Sequence, residues 1–234
     1  MEAVPNPPAA TSPAIVLYGV SKIFGRFAAL REVSAEFAPG RACAIFGDNG
    51  AGKSTLLRVT AGLARPTRGA VELLGSRDLR AVTGRLGYMA HSSLLYDEMS
   101  AMENLHYAAS LYGIEDRERP AQWILAVGLD PGLERHVGAY SQGMRQRLAL
   151  ARALAHDPEI LLLDEPFSNV DASSARAMST LLGQMRDRGK TILVVTHQAA
   201  HMAAIADESI FMSAGQVVER RRGVEAAQPQ GARA

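Results

Sequence analysis

With 234 residues, 47% of them hydrophobic and 21% charged, the chain is long enough for one large α/β domain, and its composition excludes collagen-like, disordered and disulfide-scaffold classes. A formal net charge of +1 gives no global pull toward nucleic acid or acidic lipid. No apolar run approaches the ~20 residues that span a bilayer, and the Pro/Ala-rich start has no basic region ahead of an apolar core, so the protein is expected to be neither exported nor self-anchored. In chain order, residues 1–13, with Pro5, Pro7, Pro8 and Pro13, read as a disordered extension, and residues 223–234 as a disordered tail. A single domain is expected from 14 to 222. Short apolar runs at Ile15–Leu17, Ala42–Phe46, Ile160–Leu163 and Ile192–Val195 alternate with helix-like stretches, which predicts a largely parallel sheet wrapped by helices. The segment of about 93–156 interrupts that alternation with three predicted helices, Ala101–Tyr112, Arg119–Val127 and Ser141–Ala155. The single cysteine, Cys43, lies within an apolar run and reads as a buried strand residue, which fits a reducing compartment.

The strand ending at Phe46 runs into Gly47-Asp48-Asn49-Gly50-Ala51-Gly52-Lys53-Ser54-Thr55, a full match to the phosphate-loop pattern in its strand-to-helix setting. Glycines let successive N–H groups curl toward one anion, and the following helix aims its positive end at the same point. Lys53 is then placed to reach the β- and γ-phosphates of a nucleotide, and Ser54 offers its hydroxyl to Mg²⁺. A second motif, Glu159–Pro166, is an apolar strand delivering two carboxylates at its end. Asp164 is the candidate Mg²⁺ ligand, because hard cations take oxygen donors. Glu165, pointing elsewhere, is the candidate general base for an attacking water.

A third string, Tyr140-Ser141-Gln142-Gly143-Met144-Arg145-Gln146-Arg147, opens a helix with a natural N-cap at Ser141 and an open approach at Gly143. That makes a second anion receptor in one chain, and a single nucleotide does not need two. Here the chain resembles the ABC ATPases from about Ile15 to Arg221. The resemblance implies an α/β P-loop NTPase fold with a mostly parallel core, an antiparallel β edge and a helical subdomain. It also implies a dimer in which Ser141 and Gly143 face the γ-phosphate of ATP held by a second subunit. Gln142 and Met144 depart from the commonest family form, which has glycine and glutamine there.

By the same resemblance Phe24 matches the aromatic that stacks on adenine, although a core phenylalanine is the alternative reading. Phe167–Asp171 matches the loop by which each subunit touches the other's site, and His197 matches the histidine that contacts the γ-phosphate. His91 stands where the family's usual glutamine links Mg²⁺ to the transmembrane partner. Together with Ala101–Leu105 and Asp164–Phe167, it resembles the ATP-binding subunit of the haem exporter of cytochrome c maturation. The expectation is therefore an ATPase at the cytoplasmic face of the cell membrane. Peripheral to it, the chain would power integral-membrane subunits as an ATP-dependent homodimer or pseudo-symmetric dimer, with no nucleic-acid partner. Alternatives are a soluble ABC ATPase of iron–sulfur assembly, or an exporter ATPase for drugs, lipids or polysaccharides. A nucleotide kinase or GTPase would share the phosphate loop but leave Ser141, Gly143 and His197 unexplained.

Overall fold

A computed structural model describes residues 12–116 and 118–224, so the expected extension and tail lie almost entirely outside the described residues. The first half of the chain holds β1 (Ile15–Phe24), β2 (Phe27–Phe37), β3 (Ala42–Gly47), α1 (Lys53–Thr60), β4 (Arg68–Leu73), α2 (Leu79–Val82), β5 (Leu86–Met89) and α3 (Ala101–Ser110). The second half adds α4 (Glu118–Ala126), α5 (Gln142–Leu154), β6 (Ile160–Asp164), α6 (Ala172–Asp187), β7 (Thr191–Val195), α7 (Ala199–Met202), β8 (Glu208–Ser213) and β9 (Gln216–Arg222).

The strands form two sheets. A six-stranded sheet has the order β5-β6-β7-β3-β8-β9, parallel except for β9, which returns antiparallel at the edge. A three-stranded antiparallel sheet has the order β2-β1-β4. The apolar runs of β6 and β7 are buried at every position, as strands covered on both faces must be. Alternation of side chains decides which face each residue serves. Ala44, Leu161, Leu163 and Val194 pack with Leu150, Leu154 and Met178 from α5 and α6. Their neighbours Ile45, Leu162, Leu193 and Val195 pack with Leu56 and Leu57 of α1 and with Ile15 and Leu30 of the antiparallel sheet. Full burial contributes about 1.5–3 kcal/mol for each such Val, Leu or Ile, so these two layers hold the central strands rigidly. Cys43 is 1% exposed, and burial pushes its thiol pKa well up, which leaves it inert.

The segment between β5 and β6 is helical, with α3, α4 and α5 packed on one another. A capping box starts α3: the Ser100 hydroxyl accepts from Glu103 N–H, and the Glu103 carboxylate accepts from Ser100 N–H. This helix stops at Ser110 rather than at the expected Tyr112. Gly113, at φ +72°, turns the chain away, and Ile114 N–H returns to Ala109 O at 3.2 Å. No described helix is long and apolar enough to cross a membrane.

Candidate active site

Four adjacent strands end on one edge of the six-stranded sheet. From β3 comes the loop at Gly47–Gly52, from β6 Asp164 and Glu165, from β7 the Thr196-His197 step, and from β5 the stretch to His91. Register fixes their proximity, because Val195 lies opposite both Ile45 and Asp164. Ligands bind outside the carboxyl ends of strands in open α/β sheets for this reason: chain turns carry the functional groups while the strands below stay packed. There Asn49, Gly50, Gly52, Lys53, Ser54, Thr55, His91, Asp164, Glu165 and His197 line a single cavity of about 430 Å³. Gly47 and Asp48 line an adjacent pocket instead, and Ala51, Phe24, Ser141 and Gly143 are outside the cavity wall.

The loop's shape depends on missing side chains. A Cβ on Gly47, at φ +144°, would run into Met212 O, and one on Gly52, at φ +100°, would run into Ala29 O. Gly52 also caps α1, whose first N–H groups have no partner within the helix and face the cavity end. Lys53 is 9% exposed, and its ammonium donates to Gly47 O at 2.7 Å and Asp48 O at 2.9 Å, bracing the loop from inside. An anion cradled here meets backbone dipoles, a helix end and a mobile cation together.

Opposite the loop, Ser54 Oγ donates to Asp164 Oδ1 at 3.1 Å. Asp164 is 1% exposed and its Oδ2 has no hydrogen-bond partner. Burial raises its pKa above the usual carboxylate range, the Ser54 hydrogen bond pulls it back, and the neighbouring Glu165 charge raises it further. A buried carboxylate oxygen without a donor, beside a hydroxyl, suits a hard divalent cation. Glu165 has φ +53°, and its Oε2 lies 3.0 Å from His197 Nδ1. The approach is within ion-pair distance but not aligned as a hydrogen bond, so Oε2 keeps its acceptor capacity. The Glu165 side chain is 15% exposed and that of His197 67%, so the pair stands at the cavity mouth, where a water could be held.

Ser141 caps α5, its Oγ accepting from Met144 N–H at 3.3 Å, and its side is open to solvent. Gly143 is where the backbone of 169–170 comes close: a Cβ there would sit 2.9 Å from Asn169 O. The helix start is anchored by Arg145, which donates to Asp97 Oδ1 at 2.5 Å and to Val137 O at 3.1 Å. In the loop before α6, Asp171 accepts from Ser173 N–H and Ser174 N–H at 3.0 Å, and these bonds with the Ser173 hydroxyl pull its pKa down.

Phe24 pairs with Phe27 across a two-residue turn, 52% exposed, with the Lys22 ammonium 4.8 Å from its ring centroid. The aromatic lining the cavity is Phe27, 60% exposed, with Ala29 beside it. Sequence reading missed Phe27. The signal available was Gly25-Arg26, since a tight turn there sets 24 and 27 opposite each other. Ser168 also lines the cavity of its own chain.

Comparison with known proteins agrees with this geometry. The family described as ABC transporter matches residues 30–168. ABC transporter ATP-binding protein NatA of Bacillus subtilis (strain 168) is 37% identical over 199 residues, 82% of this chain and 81% of NatA. Fe(3+) ions import ATP-binding protein FbpC 1 of Rhizobium meliloti (strain 1021) is 35% identical over 213 residues. That match takes in 88% of this chain, which spans 60% of that protein's length. A solved ATP-binding cassette, in a dimeric post-hydrolysis state bound to ADP and Pi, superposes with a TM-score of 0.84 at 26% identity, covering 89% of this chain and 98% of that one. Phosphate loop, carboxylate pair and second helix start thus lie on a fold shared almost end to end with a nucleotide-loaded cassette, and the chain belongs to the ABC transporter family as an ATP-binding, ATP-hydrolysing subunit.

Proposed function

We propose that this chain is the motor of a membrane transporter, working as a head-to-tail dimer with ATP between the phosphate loop of one subunit and the Ser141–Gly143 helix start of the other. The observation that carries this reading is the placement of two anion receptors: one opens into the cavity, and the other opens to solvent outside it. A two-fold pair would use both. In each site Lys53 and the loop's N–H groups neutralise the phosphates, and Phe27 or Phe24 supplies an aromatic edge for the base. Glu165 takes the proton of the attacking water as its oxygen bonds to the γ-phosphorus, while the bond from that phosphorus to the β–γ bridging oxygen breaks and ADP leaves. His197 holds that water and the γ-phosphate oxygen in line. Mg²⁺ fits the orphaned Asp164 Oδ2 and the Ser54 hydroxyl, with His91 at the same wall. When bound it would supply charge neutralisation at the phosphates.

The membrane partner is supported by a second surface. Between the core and the helical segment lies a groove of about 390 Å³ whose exposed apolar residues include Leu63, Leu94, Leu111 and Tyr112. Leu94 follows closely on His91, so an apolar helix of a transmembrane subunit seated here would sit beside the nucleotide cavity. NatA and the Fe(3+) import subunit support transport over iron–sulfur assembly by their names. The narrower reading as a haem-exporter ATPase draws on His91, Ala101–Leu105 and Asp164–Phe167, and those relatives lend it nothing. Cargo is set by the membrane subunit.

The test is co-purification in detergent with a candidate integral-membrane subunit, sought first among the neighbouring reading frames. Leu111→Glu places an unpaired carboxylate in the groove, a cost of ~3 kcal/mol or more, or about a hundred-fold in affinity. Basal ATPase activity should be unchanged and the complex lost. A complex that survives Leu111→Glu at wild-type strength would remove the groove from the account.

A further inference from the structure

Glu165 adopts φ +53°, a left-handed conformation that residues bearing a Cβ rarely take unless the surroundings impose it. The surroundings here are three hydrogen bonds. Glu165 N–H donates to Val195 O at 2.8 Å, and Glu165 O accepts from Ser168 N–H at 3.2 Å and from Gln146 Nε2 at 2.7 Å. The last and shortest comes from a side chain 7% exposed on α5, an element that contributes no residue to the cavity wall.

We propose that Gln146 is a positioning residue for hydrolysis: its amide holds the Glu165 peptide in the left-handed turn and so fixes where the Glu165 carboxylate points. The inference rests on Glu165 being the base, as proposed above. It carries a consequence for the dimer. Gln146 lies five residues beyond Ser141, about 7.5 Å along a helix of 1.5 Å rise per residue, so one rigid helix start touches two sites. Its far end meets the partner's nucleotide, while Gln146 grips the base of its own site. Arg145, bonded to Asp97 and Val137 O, makes this start move as one body with the segment following His91. Displacement of α5 when the partner's phosphate arrives or leaves is thereby passed to Glu165 through a single hydrogen bond.

Gln146→Leu keeps the volume and removes the donor. The expected result is a kcat lower by about 10- to 100-fold, the range reached when a catalytic group is misplaced by about an ångström. ATP affinity by calorimetry should stay within about three-fold, because the phosphate loop is untouched. Gln146→Glu, of the same size but offering an acceptor where a donor is needed, should behave alike and guards against a packing artefact of leucine. Combining Gln146→Leu with Glu165→Gln should slow turnover no further than Glu165→Gln alone, since the positioned group is already gone. Wild-type kcat in Gln146→Leu, multiplicative losses in the double variant, or loss of ATP affinity along with turnover would each overturn the inference. Wild-type turnover in Glu165→Gln by itself would instead strike the reading of Glu165 as base, so the two failures are distinguishable.

Discussion

Lys53→Ala should lose ATP binding by roughly 30-fold to several thousand-fold, the ~2–5 kcal/mol expected when one partner of a desolvated charge pair is truncated. The size follows from burial. Lys53 is 9% exposed at the base of the loop, and no other lysine or arginine among the described residues lines the cavity. Its two bonds to Gly47 O and Asp48 O also brace the loop, so alanine removes both a counter-charge and a strut. The α1 N–H groups and the glycine turn persist, which is why weak binding should survive. Isothermal calorimetry with MgATP measures the loss directly, and an unchanged Kd would contradict the role of this loop.

Glu165→Gln should show the opposite pattern: ATP bound near wild-type affinity and hydrolysis reduced by ~10²- to 10⁴-fold, the usual contribution of a general base. Glutamine keeps the shape of the side chain. The fold should hold, because the +53° backbone is kept by hydrogen bonds to Val195, Ser168 and Gln146, not by the carboxylate. What disappears is the negative charge, and with it the basicity, beside His197 Nδ1. With hydrolysis blocked, the ATP-closed dimer should accumulate and elute early on size exclusion with MgATP. Turnover at the wild-type rate would remove Glu165 from the mechanism, and slow turnover without a dimer would keep the base but contradict the sandwich.

Much of the site was legible because its residues are contiguous and follow buried strands. Ala42–Phe46, Ile160–Leu163 and Ile192–Val195 are apolar throughout because both faces of a parallel sheet are covered. Each leads into a stretch of the candidate site, at Gly47, Asp164 and Thr196-His197. The three helices of the insert were visible as helix-like stretches, one of them from its cap at Ser141, whereas the Ser100 capping box emerged only in the structure. Less visible was the separate antiparallel sheet. Beyond Ile15–Leu17, β1 runs on through Tyr18, Lys22 and Phe24, with exposed and buried residues mixed and Gly19 at φ +55° breaking the alternation that identifies a strand. Its extension to Phe24 is also why Phe27 was missed, since only the hairpin turn brings Phe27 to the cavity. The Gln146–Glu165 bond joins residues 19 apart on different elements, and no local pattern encodes it.

Mixed subunits test the composite site most directly. A Lys53→Ala chain keeps its Ser141 helix start, and a Ser141→Arg chain keeps its phosphate loop. A heterodimer therefore contains one site with both halves intact and one with both halves damaged. Each variant alone should be inactive. Mixed in equal amounts they form heterodimers at about half of all pairs, so phosphate release should return to roughly a quarter of the wild-type rate. Absence of any recovery, with the heterodimer verified by differential tags, would contradict an ATP site shared between two copies of this chain.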